Sequence, residues 1–105
     1  PTLLFRYSAV TFNTHKIHYD WRYVTEVEGY PGLVLHGPLT ATLVMRAFSK
    51  FAPESTVRTF AFRGVRPLIA GDTLIVAGRV DEAGKASVWA GNRGGVGQVG
   101  EIGFD

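Results

Sequence analysis

The stretch that decides the fold runs from Leu39 to Phe51 and reads LTATLVMRAFSKF. Its apolar residues recur at helical spacing, in one row of four with a pair beside it: Leu39, Leu43, Ala47 and Phe51, with Val44 and Phe48. An apolar face this wide predicts a helix that is buried against a sheet. Gly37 and Pro38 precede the pattern and fit the cap and the first helical position.

After Pro53 the sequence shows the alternation and the turn residues of β-strands. It predicts strands at 57–66, 72–80, 86–90 and, weakly, 96–104, with turns at 81–85 and 91–95. An antiparallel sheet wrapped around one buried helix is the hot-dog arrangement, so we predict an α+β hot-dog fold.

The residues before the long helix predict a further strand, two turns and a short helix. Residues 3–12 are rich in β-forming side chains and predict an edge strand, the fifth of the sheet. Residues 13–16 are turn-like, and Asp20 fits the N-cap of a short helix that ends near Val27. Tyr30-Pro31-Gly32 is typical of a turn.

Bulk properties limit the class of protein. A length of 105 residues suits a single domain, which we predict to span residues 1–105. The net charge of +2 is too small to predict nucleic-acid binding, and no apolar run reaches the roughly 18 residues of a membrane helix. The absence of cysteine excludes disulfides and thiolate sites, and we expect a cytoplasmic location. Because the first residue is Pro1 rather than Met, this could also be the C-terminal half of a longer double hot-dog chain.

Asn13 and His18 are the first candidate functional residues. Imidazole can take a proton from water near neutral pH and return it later, and a nearby amide can orient that water. From their spacing alone a structural role stays open, because Asn13 could serve a turn and His18 could pack in the sheet.

The second candidate is the start of the long helix at His36-Gly37-Pro38. The N–H of Gly37 is expected to lack an intrahelical acceptor, and the helix dipole adds partial positive charge there. Such a position can stabilise negative charge on a carbonyl oxygen, although any helix needs a start and Gly-Pro is a good one.

Two segments carry a family resemblance, NTHKIHYD at residues 13–20 and YPGLVLHGPL at residues 30–39. The sequence resembles the MaoC-like hot-dog family of (R)-type enoyl-thioester hydratases and dehydratases. Within that family it is most similar to the branch of 3-methylfumaryl-CoA (mesaconyl-type) hydratases and type 2 hydroxyacyl-thioester dehydratases. The family pattern is Asp-x-Asn-Pro-x-His, in which His18 takes the place of the His. Asn13, His15 and Lys16 replace the Asp, Asn and Pro.

The resemblance implies reversible hydration of a 2-enoyl thioester, with an acyl-CoA as the substrate. It assigns His18 as the general base and acid, Asn13 as the residue that orients water, and the Gly37 amide as the group that binds the thioester oxygen. Tyr30 and Pro31 are further candidates for substrate binding. His36 could line the same pocket, although a structural histidine is the favoured interpretation there. The family joins hot-dog units in pairs, so we expect a homodimer or a tandem partner domain.

Other patterns are weaker. Five arginines could meet the phosphates of coenzyme A, namely Arg58, Arg63, Arg66, Arg79 and Arg93, but surface arginines need no ligand. The segment Gly95–Gly100 spells G-x-G-x-x-G, yet only five residues follow it, so no dinucleotide-binding fold is predicted. The three histidines and Asp20 match no zinc spacing, so we predict neither a metal nor a cofactor.

Two other functions remain open. A hot-dog thioesterase usually places a carboxylate on or near the long helix, and residues 39–51 contain none. A non-catalytic hot-dog subunit that binds acyl groups or stabilises an active partner is compatible with Asn13 in place of the carboxylate. The sequence does not decide the acyl group, the carrier of the thioester or the direction of the reaction.

Overall fold

A computed structural model describes residues 2–105, in which three α-helices precede a four-stranded antiparallel sheet. The helices are α1 (Thr2–Val10), α2 (Trp21–Glu26) and α3 (Gly37–Phe51), and a 3-10 helix spans Lys16–His18. The strands are β1 (Val57–Gly64), β2 (Ile75–Glu82), β3 (Lys85–Asn92) and β4 (Gly95–Phe104). Pro1 lies outside the described residues.

The sheet has the order β1-β4-β3-β2 and packs one face against α3. Val44 and Phe48 of the helix are buried with Val88 and Ile102 of the sheet. The hot-dog arrangement predicted from the sequence is therefore present. Phe51, which the sequence placed on the buried row, is 66% exposed, because the face that meets the sheet is centred on the neighbouring row.

The predicted strand at residues 3–12 is wrong, because this segment forms helix α1. Leu4 and Ser8 are buried and lie one helical turn apart on the same face. Leu4 packs in a cluster with Val24 and Leu39. This packing outweighs the weak β preference of the composition. The sheet formed by residues 2–105 consequently has four strands rather than the predicted five.

The other elements agree with the sequence to within a few residues. β1 ends at Gly64 rather than at 66, and β2 runs from Ile75 to Glu82 rather than over 72–80. Helix α2 is capped as predicted, since the Asp20 carboxylate accepts a hydrogen bond from the Tyr23 amide at 3.0 Å. Gly37 is the first residue of α3 and His36 is its N-cap, one position earlier than predicted.

The glycines of β4 have a steric reason that the sequence did not show. A side chain at Gly97 would collide with Leu68, and a Cβ at Gly100 would lie 2.9 Å from the ring of Phe60. The carbonyl of Gly97 also accepts hydrogen bonds from the amides of Val65 and Arg66. Close approach of neighbouring segments of the same protein therefore accounts for glycine at both positions, without any ligand.

No helix within residues 2–105 is long and apolar enough to cross a membrane.

Candidate active site

The loop between α1 and the 3-10 helix holds its own shape. The side-chain oxygen of Asn13 accepts a hydrogen bond from the His15 amide at 3.0 Å, and the His18 amide donates to the His15 carbonyl. The backbone amide of Asn13 donates a hydrogen bond to the backbone carbonyl of Ser8 on α1, at 2.9 Å. These short-range hydrogen bonds hold the loop in one conformation and so fix the position of the His18 backbone.

His18 is buried, and one edge of its ring is bound to the backbone. Its Nδ1 lies 2.6 Å from the carbonyl oxygen of Val34. A carbonyl can only accept, so in the neutral ring Nδ1 carries the proton and Nε2 carries the lone pair. Within the described residues Nε2 makes no hydrogen bond, which leaves it available to take a proton from a bound molecule.

Val34 is itself held firmly. Its amide donates to the Ile17 carbonyl at 2.9 Å, and it forms an isolated antiparallel bridge with Ile69. The Leu35 amide donates to the Leu68 carbonyl at 2.8 Å. The carbonyl that fixes the tautomer of His18 is therefore part of a paired backbone segment rather than a free loop.

His36 lies directly against His18. The two rings are nearly parallel, with centroids 3.8 Å apart and an interplanar angle of 19°. His36 is fully buried, and its Nε2 lies 2.7 Å from Oγ of Ser8. Burial, and then the neighbouring His18 ring, lower the pKa of His36 to about 4, so this ring is neutral at physiological pH.

The first peptide groups of α3 border a groove of about 370 Å³. Residue Gly37 is at the first helical position, where an N–H has no intrahelical acceptor, and a Cβ there would meet nothing within 4 Å. Its carbonyl accepts a hydrogen bond from Nε2 of Gln98 at 3.0 Å. Gln98 and Arg66 line the same groove, which places polar groups around this helix start.

Gln98 was missed by the sequence analysis. It is buried in β4, and its Oε1 has no partner among the residues that the structure describes. A glutamine within a glycine-rich strand forms no recognisable sequence motif. Its place near the site follows only from the fold, which brings β4 next to the start of α3. Arg66, one of the arginines considered for phosphate, donates to the side chain of Asn92 at 2.6 Å and to the Gly95 carbonyl at 2.8 Å.

The other predicted site residues take different places. Asn13 is half-buried in a cleft of about 250 Å³ beside Ser8 and makes no hydrogen bond to His18. Tyr30 packs against the cluster around Leu4, and Pro31 is exposed, so neither lines the groove at Gly37. The predicted site residues brought together are thus His18 and His36, with Gly37 next to His36 in the chain.

Several further features lie elsewhere. A cavity of about 660 Å³ is lined by strand residues that include Arg63, Arg79 and Trp89, and by no residue before β1. Arg79 pairs with Asp81, and Arg58 pairs with Asp105. Across residues 2–105 no group of three histidine or acidic side chains could hold a metal ion.

The arrangement can perform proton transfer beside a carbonyl group. It offers one imidazole nitrogen with a free lone pair, and a helix start whose N–H groups can face a negative oxygen. The buried, neutral ring of His36 stacks against the imidazole of His18.

Comparisons with solved structures agree with the fold. The (R)-hydratase PhaJ1 from Pseudomonas aeruginosa superposes with a TM-score of 0.82 at 23% identity, over 96% of this chain and 70% of that one. A chain of the ChsH1–ChsH2 complex from Mycobacterium tuberculosis gives a TM-score of 0.81 at 20% identity, over 100% of this chain and 86% of that one. Likeness at this level of identity shows a shared hot-dog fold.

Comparisons of sequence show more than the fold. Mesaconyl-C(4)-CoA hydratase from Chloroflexus aurantiacus is 52% identical over 68 residues, which are 65% of this chain and 24% of that protein. The chain spans about a quarter of the length of the curated relatives that it matches. The family profile described as hydroxyacyl-thioester dehydratase type 2 matches residues 1–70, which include His18 and Gly37. The resemblance inferred from two short segments is therefore confirmed: the chain belongs to the hydroxyacyl-thioester dehydratase type 2 family of hot-dog proteins.

Proposed function

We propose that this protein adds water reversibly to a 2-enoyl thioester, giving a 3-hydroxyacyl thioester. The observation that carries the proposal is the state of His18, whose Nδ1–H is bound to the Val34 carbonyl while Nε2 is free. One imidazole with a fixed tautomer beside a helix start supplies both a proton acceptor and a site for negative charge. Membership of a dehydratase family supports the same reaction.

In the hydration direction Nε2 of His18 takes a proton from water, and the water oxygen forms a bond to C3. The electron pair of the C2–C3 double bond moves toward the thioester carbonyl, whose oxygen becomes negative as an enolate. The Gly37 N–H stabilises this oxygen, a contribution of roughly 3–4 kcal/mol for one good donor. The enolate then takes the proton from the His18 imidazolium at C2, so the sum of the steps is the addition of water.

Asn13 is proposed to orient the attacking water. Its Oδ1 already accepts one hydrogen bond, from the His15 backbone amide, so its Nδ2 is the group proposed to hold the water. An amide cannot take the proton, so His18 is left as the proposed proton acceptor.

The thioester is proposed to be carried by coenzyme A, with an acyl group of the mesaconyl type. The 52% identity to a mesaconyl-C(4)-CoA hydratase supports this choice. The groove at Gly37 is open to solvent, and Arg66 adds positive charge along it. No cofactor is required by the steps above.

Loss of the ultraviolet absorbance of the conjugated enoyl thioester tests the proposal. Purified protein should hydrate mesaconyl-CoA or crotonyl-CoA, and hydration of neither in the presence of folded protein would contradict it. Comparing each CoA substrate with its carrier-protein thioester would decide between the two carriers.

A second function is favoured by one observation, the use of the Asn13 side chain within its own turn. A non-catalytic subunit that stabilises an active partner needs no free polar group there. Such a subunit would hydrate no enoyl thioester alone and would raise the rate of a partner when the two are mixed. The thioesterase alternative is not favoured, because α3 carries no carboxylate.

We also propose that the chain pairs with a second hot-dog unit, as a homodimer or as a tandem domain. In the described sheet β1 and β2 each have one strand neighbour, so both leave an edge unpaired. Exposed apolar side chains, Phe51, Ile75 and Val80, add to the need for cover. A stable interface would bury at least about 1,200 Å². A monomer by light scattering at micromolar concentration, with full hydratase activity, would contradict this pairing.

A further inference from the structure

A second buried histidine supports the proposed base without being able to reach a substrate. His36 has no exposed surface, and its ring lies 3.8 Å from the ring of His18. The proposed mechanism uses His18 but assigns no role to His36. A buried imidazole normally has hydrogen-bond partners, and those of His36 show how its ring is held against His18.

His36 is held from two sides. Its Nε2 lies 2.7 Å from Oγ of Ser8, which is buried on the inner face of α1 and is 28 residues away in sequence. The ring of Tyr7, also on α1, meets His36 edge-on with centroids 4.7 Å apart and an interplanar angle of 65°. Helix α1 thereby fixes the plane of the ring on which His18 stacks.

The protonation of His36 follows from its partners. Its Nδ1 is buried and has no partner within residues 2–105. An unused lone pair in the interior costs less than an unpaired N–H, so the proton belongs on Nε2 and is donated to Ser8 Oγ. His36 is then a neutral ring with an idle lone pair, so it adds no charge beside His18.

We infer that Ser8 and His36 are positioning residues for His18. Ser8 fixes the plane of His36, and the stacked His36 ring holds His18 at the angle from which Nδ1 meets the Val34 carbonyl. Ser8 also anchors the loop itself, since its carbonyl accepts the Asn13 amide. This inference rests on the proposed function only for its effect on rate, because the geometry of His18 can be measured without any substrate.

The variants Ser8→Ala and Ser8→Thr test the role of the hydroxyl. Loss of the hydroxyl frees the His36 ring to turn, so the His18 ring loses its fixed plane and samples poses without the Val34 bond. We expect kcat to fall roughly tenfold with KM nearly unchanged, because the base is misplaced while the binding groove at Gly37 is untouched. Ser8→Thr keeps the hydroxyl and should retain most of the rate. Ser49→Ala, which removes an exposed hydroxyl from α3, is the matched control and should change nothing.

The second readout is the tautomer of the neutral His18 ring, measured by ¹⁵N NMR of the imidazole nitrogens. The parent and Ser8→Thr should show the Nδ1–H form alone, whereas Ser8→Ala should show a mixture of the two tautomers. If Ser8→Ala does not fold, Ser8→Cys keeps the volume with a much weaker hydrogen-bonding group and should show the same mixture.

The two proposals fail in different ways. A parent protein that hydrates no enoyl thioester, yet changes its His18 tautomer in Ser8→Ala, would overturn the proposed function and leave the positioning role supported. A Ser8→Ala protein with the parental tautomer and the parental kcat would overturn the positioning role alone.

Discussion

Replacing His18 by asparagine separates its chemical role from its structural one. The structure shows that His18→Ala would leave the buried Val34 carbonyl without a donor, at a cost of about 1–3 kcal/mol. Asparagine places an N–H close to the position of imidazole Nδ1, so His18→Asn can keep the bond to Val34. The stacking against His36, worth about 1 kcal/mol, is lost in this variant together with the burial of the outer ring atoms.

The effect on rate should be far larger than the effect on stability. Asparagine has no group that takes a proton at Nε2, so kcat should fall by roughly 10²–10⁴-fold. That loss corresponds to about 3–5 kcal/mol of transition-state stabilisation. Initial rates are followed by the absorbance of the enoyl thioester, and thermal denaturation confirms that the variant is folded. His15→Asn changes an exposed histidine of the same loop and should leave both quantities close to the parent.

One result would refute the reasoning directly. If folded His18→Asn hydrates the substrate at the parental rate, His18 is not the proton-transfer group. An equal loss in His15→Asn would instead show that the assay responds to the loop as a whole.

Three further predictions concern other parts of the chain. Asn13→Ala should lose most of the hydratase rate, whereas Asn13→Asp should retain or raise it by supplying a carboxylate; a parental rate in Asn13→Ala would remove water orientation from the proposal. Gly97→Ala should lower the melting temperature through a clash with Leu68 that costs about 1–3 kcal/mol, while Gly64→Ala, which meets nothing within 4 Å, should cost far less. The pKa of His36 is about 4 in the folded chain and 6.5 in the unfolded chain. Between these two pH values the unfolded chain therefore binds a proton at His36 and the folded chain does not. The unfolding free energy should therefore fall by up to about 3 kcal/mol as pH decreases from 6.5 to 4, as measured by denaturant titration; an equal fall in His36→Gln would assign it to other groups.

The sequence predicted the local elements whose signals are short and strong. Asp20 capped α2 as expected, and the apolar pattern from Leu39 gave the long helix. The strand predicted at residues 3–12 failed for a physical reason. β-forming side chains express a weak preference, and burial of Leu4 and Ser8 on one face decided for a helix.

The candidate site was only half visible before folding. His18 stood out because an imidazole can take up and return a proton. Gly37 stood out because its N–H lies at the start of a predicted helix. Ser8 and Gln98 did not, since a serine in an apolar segment and a glutamine among glycines carry no pattern.

By itself the sequence determined the class of fold, because the apolar periodicities that predict the helix and the strands are local. Two short segments also carried the resemblance to the family, and that resemblance pointed to His18 as the proposed base. Only the tertiary structure decided which nitrogen of His18 is free, that His36 stacks against it, and that Ser8 holds His36. Those contacts join α1, the His18 loop and the start of α3, which are distant in sequence. Their geometry follows from how the helices pack, and no local pattern of residues encodes it.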